Sequence, residues 1–327
     1  MGNKKPAILL IFFLIITVLL IPLSIEFGDI KIPFLKALDG LIHPNGSVES
    51  VIIWEYRLPR TLVGVFVGMN LAIAGTLLQA VTQNPLAAPN IIGITAGASF
   101  VTVLSMFFIP FLPISYLPLA AFGGSALAGI LVYFVAWKNG ISKERFALAG
   151  IAIDALFQAA TTGMIVFASK KIEASIVWLA GSFWGRGWEH VLMILPWSVI
   201  GIILTFILSS RINAIQLGDD IATSLGVSVQ RSRIFLLIIT IVLAGSAVAV
   251  SGPIGFIGLV IPHLSRLLVG NDHKWVLPIS ALLGAMLAVI SDLIGRTLLA
   301  PIEIPVGVIT ALLGAPYFLY LLKKSRL

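Results

Sequence analysis

Asp154 is a carboxylate in the middle of an apolar stretch, residues 146–167. Gln158, Thr161 and Thr162 follow at i+4, i+7 and i+8, so a helix would align these four polar side chains on one face. A charge at the centre of a bilayer costs about 2.5–3.5 kcal/mol on insertion scales, so this stripe should face protein or water. Hydrogen bonding between helices and the wall of a pathway both fit the pattern. Four polar groups exceed what helix packing usually requires, which favours the pathway.

Motifs for catalysis or nucleotide binding are missing from the sequence. There is no GxxxxGK[ST] loop to hold phosphates and no GxSxG nucleophile turn. The four histidines, His43, His190, His263 and His273, lack the spacing of metal ligands, and there is no cysteine. We therefore expect a protein that is not an enzyme and that binds no metal or cofactor of its own.

A short polar segment at residues 218–226 has the signals of an isolated two-turn helix. Asp219 suits the N-cap, Asp220 places negative charge at the positive helix end, and Gly226 suits the position after the helix. Ile221 and Leu225 then share one face. A helix this short must pack on something to be stable. The residues leave open whether it packs on its own membrane domain or docks onto a cytoplasmic partner.

Glycine and proline interrupt two other segments. Residues 83–90 contain Pro85 and Pro89, which predict a rigid, non-helical connection. Residues 251–258 carry Gly252, Pro253, Gly255 and Gly258 within an apolar run. Broken backbone at membrane depth is tolerated only where it is buried in protein or lines a water-filled cavity. The second segment therefore favours a protein that moves something across a bilayer.

The composition indicates a polytopic membrane protein. Of the 327 residues 59% are hydrophobic and 11% are charged, and the mean hydropathy is +1.08, whereas soluble domains are about a quarter charged. Ten apolar runs are long enough to span a bilayer; they begin near Ala7, Thr61, Ile91, Leu117, Arg145, Val191, Ile234, Ile254, Val276 and Pro305. We predict an all-α fold with about ten transmembrane helices, and residues 1–327 as a single membrane domain.

The basic residues predict the side of the membrane on which the termini lie. Lys4 and Lys5 precede an apolar run without a small-residue cleavage site, so we expect a retained first helix. With both ends inside, thirteen of the 21 basic but four of the 14 acidic residues fall in cytoplasmic segments. The positive-inside rule therefore favours cytoplasmic termini. The net charge of +7 reflects this topology, and no nucleic-acid partner is expected.

Several motifs together resemble one transporter family. The sequence reads RLPR at 57–60, NPLA at 84–87, LG at 217–218 and 225–226, GFIGLVIPH at 255–263, EIPVG at 303–307 and GAP at 314–316. In their order and spacing, over nearly the whole chain, these motifs resemble the permease subunits of ABC importers for ferric siderophores, haem and cobalamin. The resemblance implies two permeases, identical or homologous, around a central pathway in the lipid of a bacterial inner (plasma) membrane. It also implies two cytoplasmic ATPase subunits that use ATP, and an extracytoplasmic binding protein.

The resemblance also assigns roles to residues. It implies ATPase coupling by the 211–233 stretch, which includes Gly218, Asp219, Asp220, Ile221, Ala222, Leu225 and Gly226. It implies a cytoplasmic gate at Asn84, Pro85, Leu86, Ser142 and Lys143, although Ala88 stands where relatives often have an acid and residues 142–144 are more charged than in some relatives. It implies binding-protein docking by Arg57, Arg60 and Arg296. Taken alone, these arginines would fit at least equally well as local partners of acids such as Glu55 and Asp292, or as side chains that snorkel to the interface.

The leading hypothesis is an import permease for a ferric siderophore, which is the most frequent substrate class in that family. Haem or cobalamin is the alternative within the family. An ion-coupled secondary transporter, with Asp154 as its proton or cation site, is the alternative from another class. A channel or structural protein has the least support.

Overall fold

Helices make up most of the chain. The computed structural model describes residues 4–28, 30–109, 111, 113–137, 143–167 and 172–324. These ranges contain fifteen α-helices: α1 (Lys5–Glu26), α2 (Phe34–Ile42), α3 (Val48–Val51), α4 (Leu58–Thr82), α5 (Ile94–Phe108), α6 (Leu117–Ala136), α7 (Lys143–Phe167), α8 (Ile172–Leu179), α9 (Trp188–Ile207), α10 (Ser209–Gln216), α11 (Asp219–Ser224), α12 (Val229–Ser251), α13 (Ile257–Val269), α14 (His273–Thr297) and α15 (Val306–Lys324). A π-helical stretch, Ile52–Arg57, joins α3 to α4. The prediction of an all-α fold is confirmed.

Seven helical stretches within the described residues are long and apolar enough to cross a membrane. They comprise α1, α4 with the turns that precede it, α6, α7, α9, α12 and α14. Shorter apolar stretches of 10–17 residues belong to α5, α13 and α15. Every apolar run predicted from the sequence falls on one of these helices. The chain is a multi-pass integral membrane protein. The count of ten spans stays a prediction, because crossing about 30 Å takes about 20 residues and these three apolar stretches are shorter. The cytoplasmic location of the termini also stays a prediction.

The helices differ in how deeply they are buried. The most apolar parts of α4, α12 and α14 are 78%, 72% and 61% buried, so these helices form the centre of the bundle. The corresponding part of α7 is 17% buried. The helix with the polar stripe therefore lies at the periphery of the chain, where most of its surface is open to lipid or to another protein.

Glycines allow the central helices to approach closely. A Cβ atom on Gly68 of α4 would lie 2.2 Å from the carbonyl oxygen of Gly284 on α14. A Cβ atom on Gly75 of α4 would lie 1.9 Å from the carbonyl oxygen of Gly258 on α13. Only glycine fits at these two crossings, and the close approach fixes α13 and α14 against α4.

The glycine- and proline-rich segment is a buried break between two helices. α12 ends at Ser251, residues 252–256 are not helical, and α13 begins at Ile257. The backbone N–H of Ser182 donates to the carbonyl of Ser251 at 2.8 Å, and Ile254 is buried. Protein surrounds the break, and Pro253 lines a cavity beside α7. This arrangement is what membrane burial requires of irregular backbone.

Candidate functional site

The four polar residues predicted from the sequence line one groove on α7. Asp154, Gln158, Thr161 and Thr162 border a cavity of about 340 Å³, and Thr95 and Ser99 of α5 face them across it. Thr161 is buried, Asp154 is half-buried, and Gln158 and Thr162 are exposed. The stripe therefore borders an open cavity on a peripheral helix.

Hydrogen bonds within the chain occupy the hydroxyls of Ser99 and Thr161 and one amide N–H of Gln158. Gln158 Nε2 donates to Asp154 Oδ2 at 2.5 Å. The hydroxyl of Thr161 donates to the carbonyl of Phe157 at 2.7 Å, and the hydroxyl of Ser99 donates to the carbonyl of Thr95 at 3.0 Å. The oxygens of these groups keep lone pairs that can still accept. Sequence reasoning missed Thr95 and Ser99, although their i, i+4 spacing on an apolar helix was a usable signal.

The three arginines predicted to dock a partner meet at one end of the bundle. Arg57, Arg60 and Arg296 line a second cavity, of about 600 Å³, together with Arg186 and Glu303. We call this end, defined by Arg57, Arg60 and Arg296, the arginine end. The structure thus brings together residues from the π-helical stretch, α4, α14 and the segments that follow α8 and α14.

Each of the three guanidinium groups already has partners within the chain. Arg57 donates to the carbonyl of Ile25, in the last turn of α1, at 2.6 Å and to that of Ile30, beyond the helix, at 2.5 Å. Arg60 binds the carboxylates of Asp292 and Glu303, with the shortest contact to each at 2.8 Å. The local pairing with Asp292 that the sequence suggested is present. Docking of a binding protein stays a prediction for these residues.

The other two arginines that line this cavity are Arg296 and Arg186, and both are also largely buried. Arg296 donates to both the hydroxyl and the carbonyl of Ser24 at 2.6 Å. Arg186, between α8 and α9, contacts His190 Nε2 at 3.2 Å, and its Nε has no hydrogen-bond partner among the described residues. Burial lowers the pKa of Arg186. Sequence reasoning gave Arg186 no docking role.

The α11 helix exposes an apolar face at the opposite end of the bundle. Ile221 is 49% exposed and Leu225 is 61% exposed, whereas Ala222 is fully buried against the chain. Gly226 follows the helix with φ at +80°, as predicted for that position. The helix therefore rests on its own chain through Ala222 and presents Ile221 and Leu225 outward. We call this end, defined by Ile221 and Leu225, the α11 end.

The N-cap prediction for Asp219 was wrong. The N-cap residue is Gly218, with φ at +110°, and Asp219 is the first helical residue. The Asp219 carboxylate instead accepts two 2.8 Å hydrogen bonds from the guanidinium of Arg233 on α12. A bidentate ion pair with a buried arginine outweighs a single capping bond. The acidic first turn expected from Asp220 is present.

The Asn84 loop also lies near α10. Asn84 Oδ1 accepts the backbone N–H of Leu86 at 2.9 Å, which makes the non-helical turn that the prolines predicted. Gln83, just before it, donates to the carbonyl of Ile215 at 2.5 Å. Asn84 and Pro85 are exposed, and Leu86 is half-buried. Ser142 lies outside the described residues, as does the side chain of Lys143, where α7 begins.

Asn213 of α10 contacts the start of α14, a connection that sequence reasoning missed. Its Oδ1 accepts the backbone N–H of His273 at 2.9 Å, and its Nδ2 donates to Asp272 Oδ1 at 2.8 Å. Asp272 also caps α14 through the N–H of Lys274. Desolvation opposes ionisation of Asp272, yet the bonds from Lys274 and Asn213 hold its pKa below the usual range. α10 is thereby bound to both α4 and α14.

A multi-pass helical membrane protein with a polar groove on a peripheral helix has the features of a transport protein. The model of the FecCD transport family matches residues 15–324, and the chain belongs to this family. The family is one of transport permeases and not of enzymes.

Relatives with known names are similar over almost their whole length. The chain is 42% identical over 324 residues to the Fe(3+)-citrate import system permease protein YfmD of Bacillus subtilis (strain 168), covering 99% of this chain and 97% of the relative. It is 39% identical over 335 residues to the iron(3+)-hydroxamate import system permease protein FhuG of the same bacterium, covering 99% and 98%. A solved inward-facing structure of a metal-chelate type ABC transporter matches with a TM-score of 0.87 and 31% identity, covering 97% of this chain and 99% of that one.

Proposed function

We propose that the protein is the permease subunit of a binding-protein-dependent ABC importer that carries an iron–siderophore complex across a bacterial cell membrane. The α7 groove carries this proposal. In this groove Asp154 is half-buried and Gln158 is exposed, on a helix whose most apolar part is 17% buried in its own chain. A second permease, identical or homologous, would close the open side of the groove, because a lipid-facing carboxylate is unfavourable. Similarity to permeases named for iron citrate and iron hydroxamate supports the substrate class.

In this proposal residues 1–327 form one membrane domain with ten spans, and the α11 end faces the cytoplasm with both termini. α4 runs from the arginine end to the loop beside α10, so the two ends lie on opposite sides of the membrane. The excess of basic residues in the segments at the α11 end supports this orientation. The extracytoplasmic binding protein would then dock at the arginine end.

The exposed Ile221 and Leu225 would insert into an ATPase subunit, one for each permease. ATP would be bound and hydrolysed there, since this chain has no P-loop. Asn84, Pro85 and Leu86 would form the cytoplasmic gate with Ser142 and Lys143. These parts would work together because Gln83 and Asn213 connect α10, beside the coupling helix, to α4 and α14.

The test is transport by the complete complex of two permeases, two ATPases and binding protein in proteoliposomes. We expect uptake of a labelled ferric siderophore that requires ATP and persists when the proton gradient is collapsed. Uptake driven by a proton gradient without ATP would contradict the proposal and favour ion-coupled transport through Asp154. Uptake of haem or cobalamin in place of ferric siderophores would change the substrate assignment.

A further inference from the structure

We infer that the α7 groove selects iron chelates that have no net negative charge and that present N–H or O–H donors, such as neutral hydroxamate complexes. The inference rests on the proposed function, because it requires the groove to line the translocation pathway. It goes further by choosing among the chelate chemistries that iron importers can carry.

The first observation is the charge of the groove. Asp154 is the one charged side chain among the described residues that line it, and no lysine or arginine lies among them. Charged side chains along a pathway select ions by sign, and low-dielectric walls strengthen the effect. If the second permease is identical, it adds a second Asp154 to the same pathway. A chelate with several free carboxylates would therefore be repelled at this depth.

The second observation is the polarity of the hydrogen-bonding groups. The hydroxyls of Thr161 and Ser99 donate to carbonyls of their own helices, so they offer oxygen lone pairs to the groove. Gln158 uses one of its two amide N–H groups on Asp154, and its carbonyl oxygen is available as an acceptor. A ligand that brings N–H or O–H donors would satisfy these oxygens. A ligand carboxylate has no donor to bind in these three oxygens and would depend on Asn90, Thr95 or Thr162.

Ferric chelates differ in these two properties, net charge and hydrogen-bond donors. Three hydroxamate anions balance the charge of one ferric ion, and amide N–H groups of the ligand backbone remain as donors. Ferric dicitrate keeps ionised carboxylates after it binds the metal, so it is polyanionic. The groove fits the first kind of complex, even though the chain is similar to permeases named for both kinds.

The experiment compares initial uptake rates of a neutral ferric trihydroxamate and of ferric dicitrate by the complete transporter in ATP-loaded proteoliposomes. The binding protein's affinity for each chelate is measured first, and both are supplied at saturation. In the wild type we expect the trihydroxamate to be taken up faster. In Asp154→Lys the ratio of dicitrate to trihydroxamate rates should rise by about tenfold or more, since an attractive charge replaces a repulsive one at close range. Comparing ratios between variants cancels the preference of the unchanged binding protein.

Two further variants distinguish a change in selectivity from an effect of misfolding. Gln158→Glu keeps the side-chain shape and adds a carboxylate to the groove, so the same ratio should fall. Glu49→Gln removes an exposed carboxylate outside the groove and should leave the ratio unchanged. A wild type that transports ferric dicitrate as fast as the trihydroxamate, or a ratio that stays within twofold in both groove variants, overturns the inference and leaves the proposed function intact. Absence of uptake of every ferric chelate overturns the proposed function, and this inference with it.

Discussion

Arg60 and Asp292 are 232 residues apart in the sequence, yet Arg60 Nη2 lies 2.8 Å from Asp292 Oδ1. The pair joins α4 to α14 at the arginine end, and the Gly68–Gly284 contact joins the same helices near the middle. At the α11 end both helices are bonded to α10, through Gln83 and His273. α4 and α14 therefore form a continuous connection between the two ends of the molecule.

Asp292→Ala should strongly destabilise the protein. Both side chains of the pair are largely buried, and removal of one partner of a buried ion pair leaves an uncompensated charge that costs about 3–5 kcal/mol. Glu303 remains as a second partner of Arg60, so we expect the lower end of this range. Thermal unfolding of the purified protein measures the effect. Glu49→Ala is the control, because its ion pair with Lys36 is exposed; equal melting temperatures of the two variants would contradict the prediction.

Gly68→Ala should destabilise the protein by about 1–3 kcal/mol, the usual cost of overpacking. The new Cβ would lie 2.2 Å from a backbone oxygen of α14, which cannot rotate away. Gly123→Ala on α6 is the matched control, since a Cβ atom there has nothing within 4 Å. Helix propensity predicts that the control is neutral or stabilising by up to about 1 kcal/mol. A Gly68→Ala protein as stable as the control would show that the α4–α14 contact can relax.

Leu225→Asp should reduce ATP-driven uptake at least tenfold while the membrane domain stays folded. Leu225 is exposed, so the substitution does not disturb the chain's own core, but a carboxylate in an apolar partner cleft would lack compensation. Uptake, ATPase activity and co-purification of the ATPase are the measurements. Leu38→Asp, an exposed apolar site on α2, is the control. Normal uptake by Leu225→Asp would remove α11 from the coupling mechanism.

Arg57→Glu and Arg296→Glu should slow capture of the loaded binding protein. The structure adds a second expectation. Both arginines also donate hydrogen bonds to carbonyls of α1 or of the residues after it, so replacing either arginine should lower the melting temperature. Association rates at several salt concentrations separate the two effects, since docking charges act mainly on the rate and are screened. Rescue by a reversed charge on the binding protein would support docking. Lower stability with unchanged association and salt dependence would make the arginines structural.

Asp272→Asn should change the pH dependence of stability. The pKa of Asp272 is lowered in the folded protein, so its ionised form adds stability above its unfolded pKa, and this is lost as pH falls through the folded pKa. Asparagine keeps the capping geometry but cannot ionise. We therefore expect the wild type to have a higher melting temperature than the variant at pH 7. This difference in melting temperature should become smaller when the pH is lowered to about 3. A constant difference between these values would show that Asp272 contributes only through its shape.

Much of the architecture followed from local patterns in the sequence. The apolar runs identified the long helices, because a membrane segment must satisfy its own backbone hydrogen bonds over a fixed length. The i, i+4, i+7 spacing placed Asp154, Gln158 and Thr161 on one face, and the structure has them in one groove. The glycine after α11 was also readable, since a positive φ favours that residue.

Tertiary structure decided what depends on contacts between distant segments. Asp219 has good N-cap chemistry, but Arg233 reaches its carboxylate only after α12 packs beside α11. Arg60 has acids near it in space that no local spacing reveals. Thr95 and Ser99 join the groove because α5 packs against α7. Sequence by itself determined the helices and their polar faces, because those depend on periodicity; packing alone decided the partner of each charged and polar group, because those partners come from remote parts of the chain.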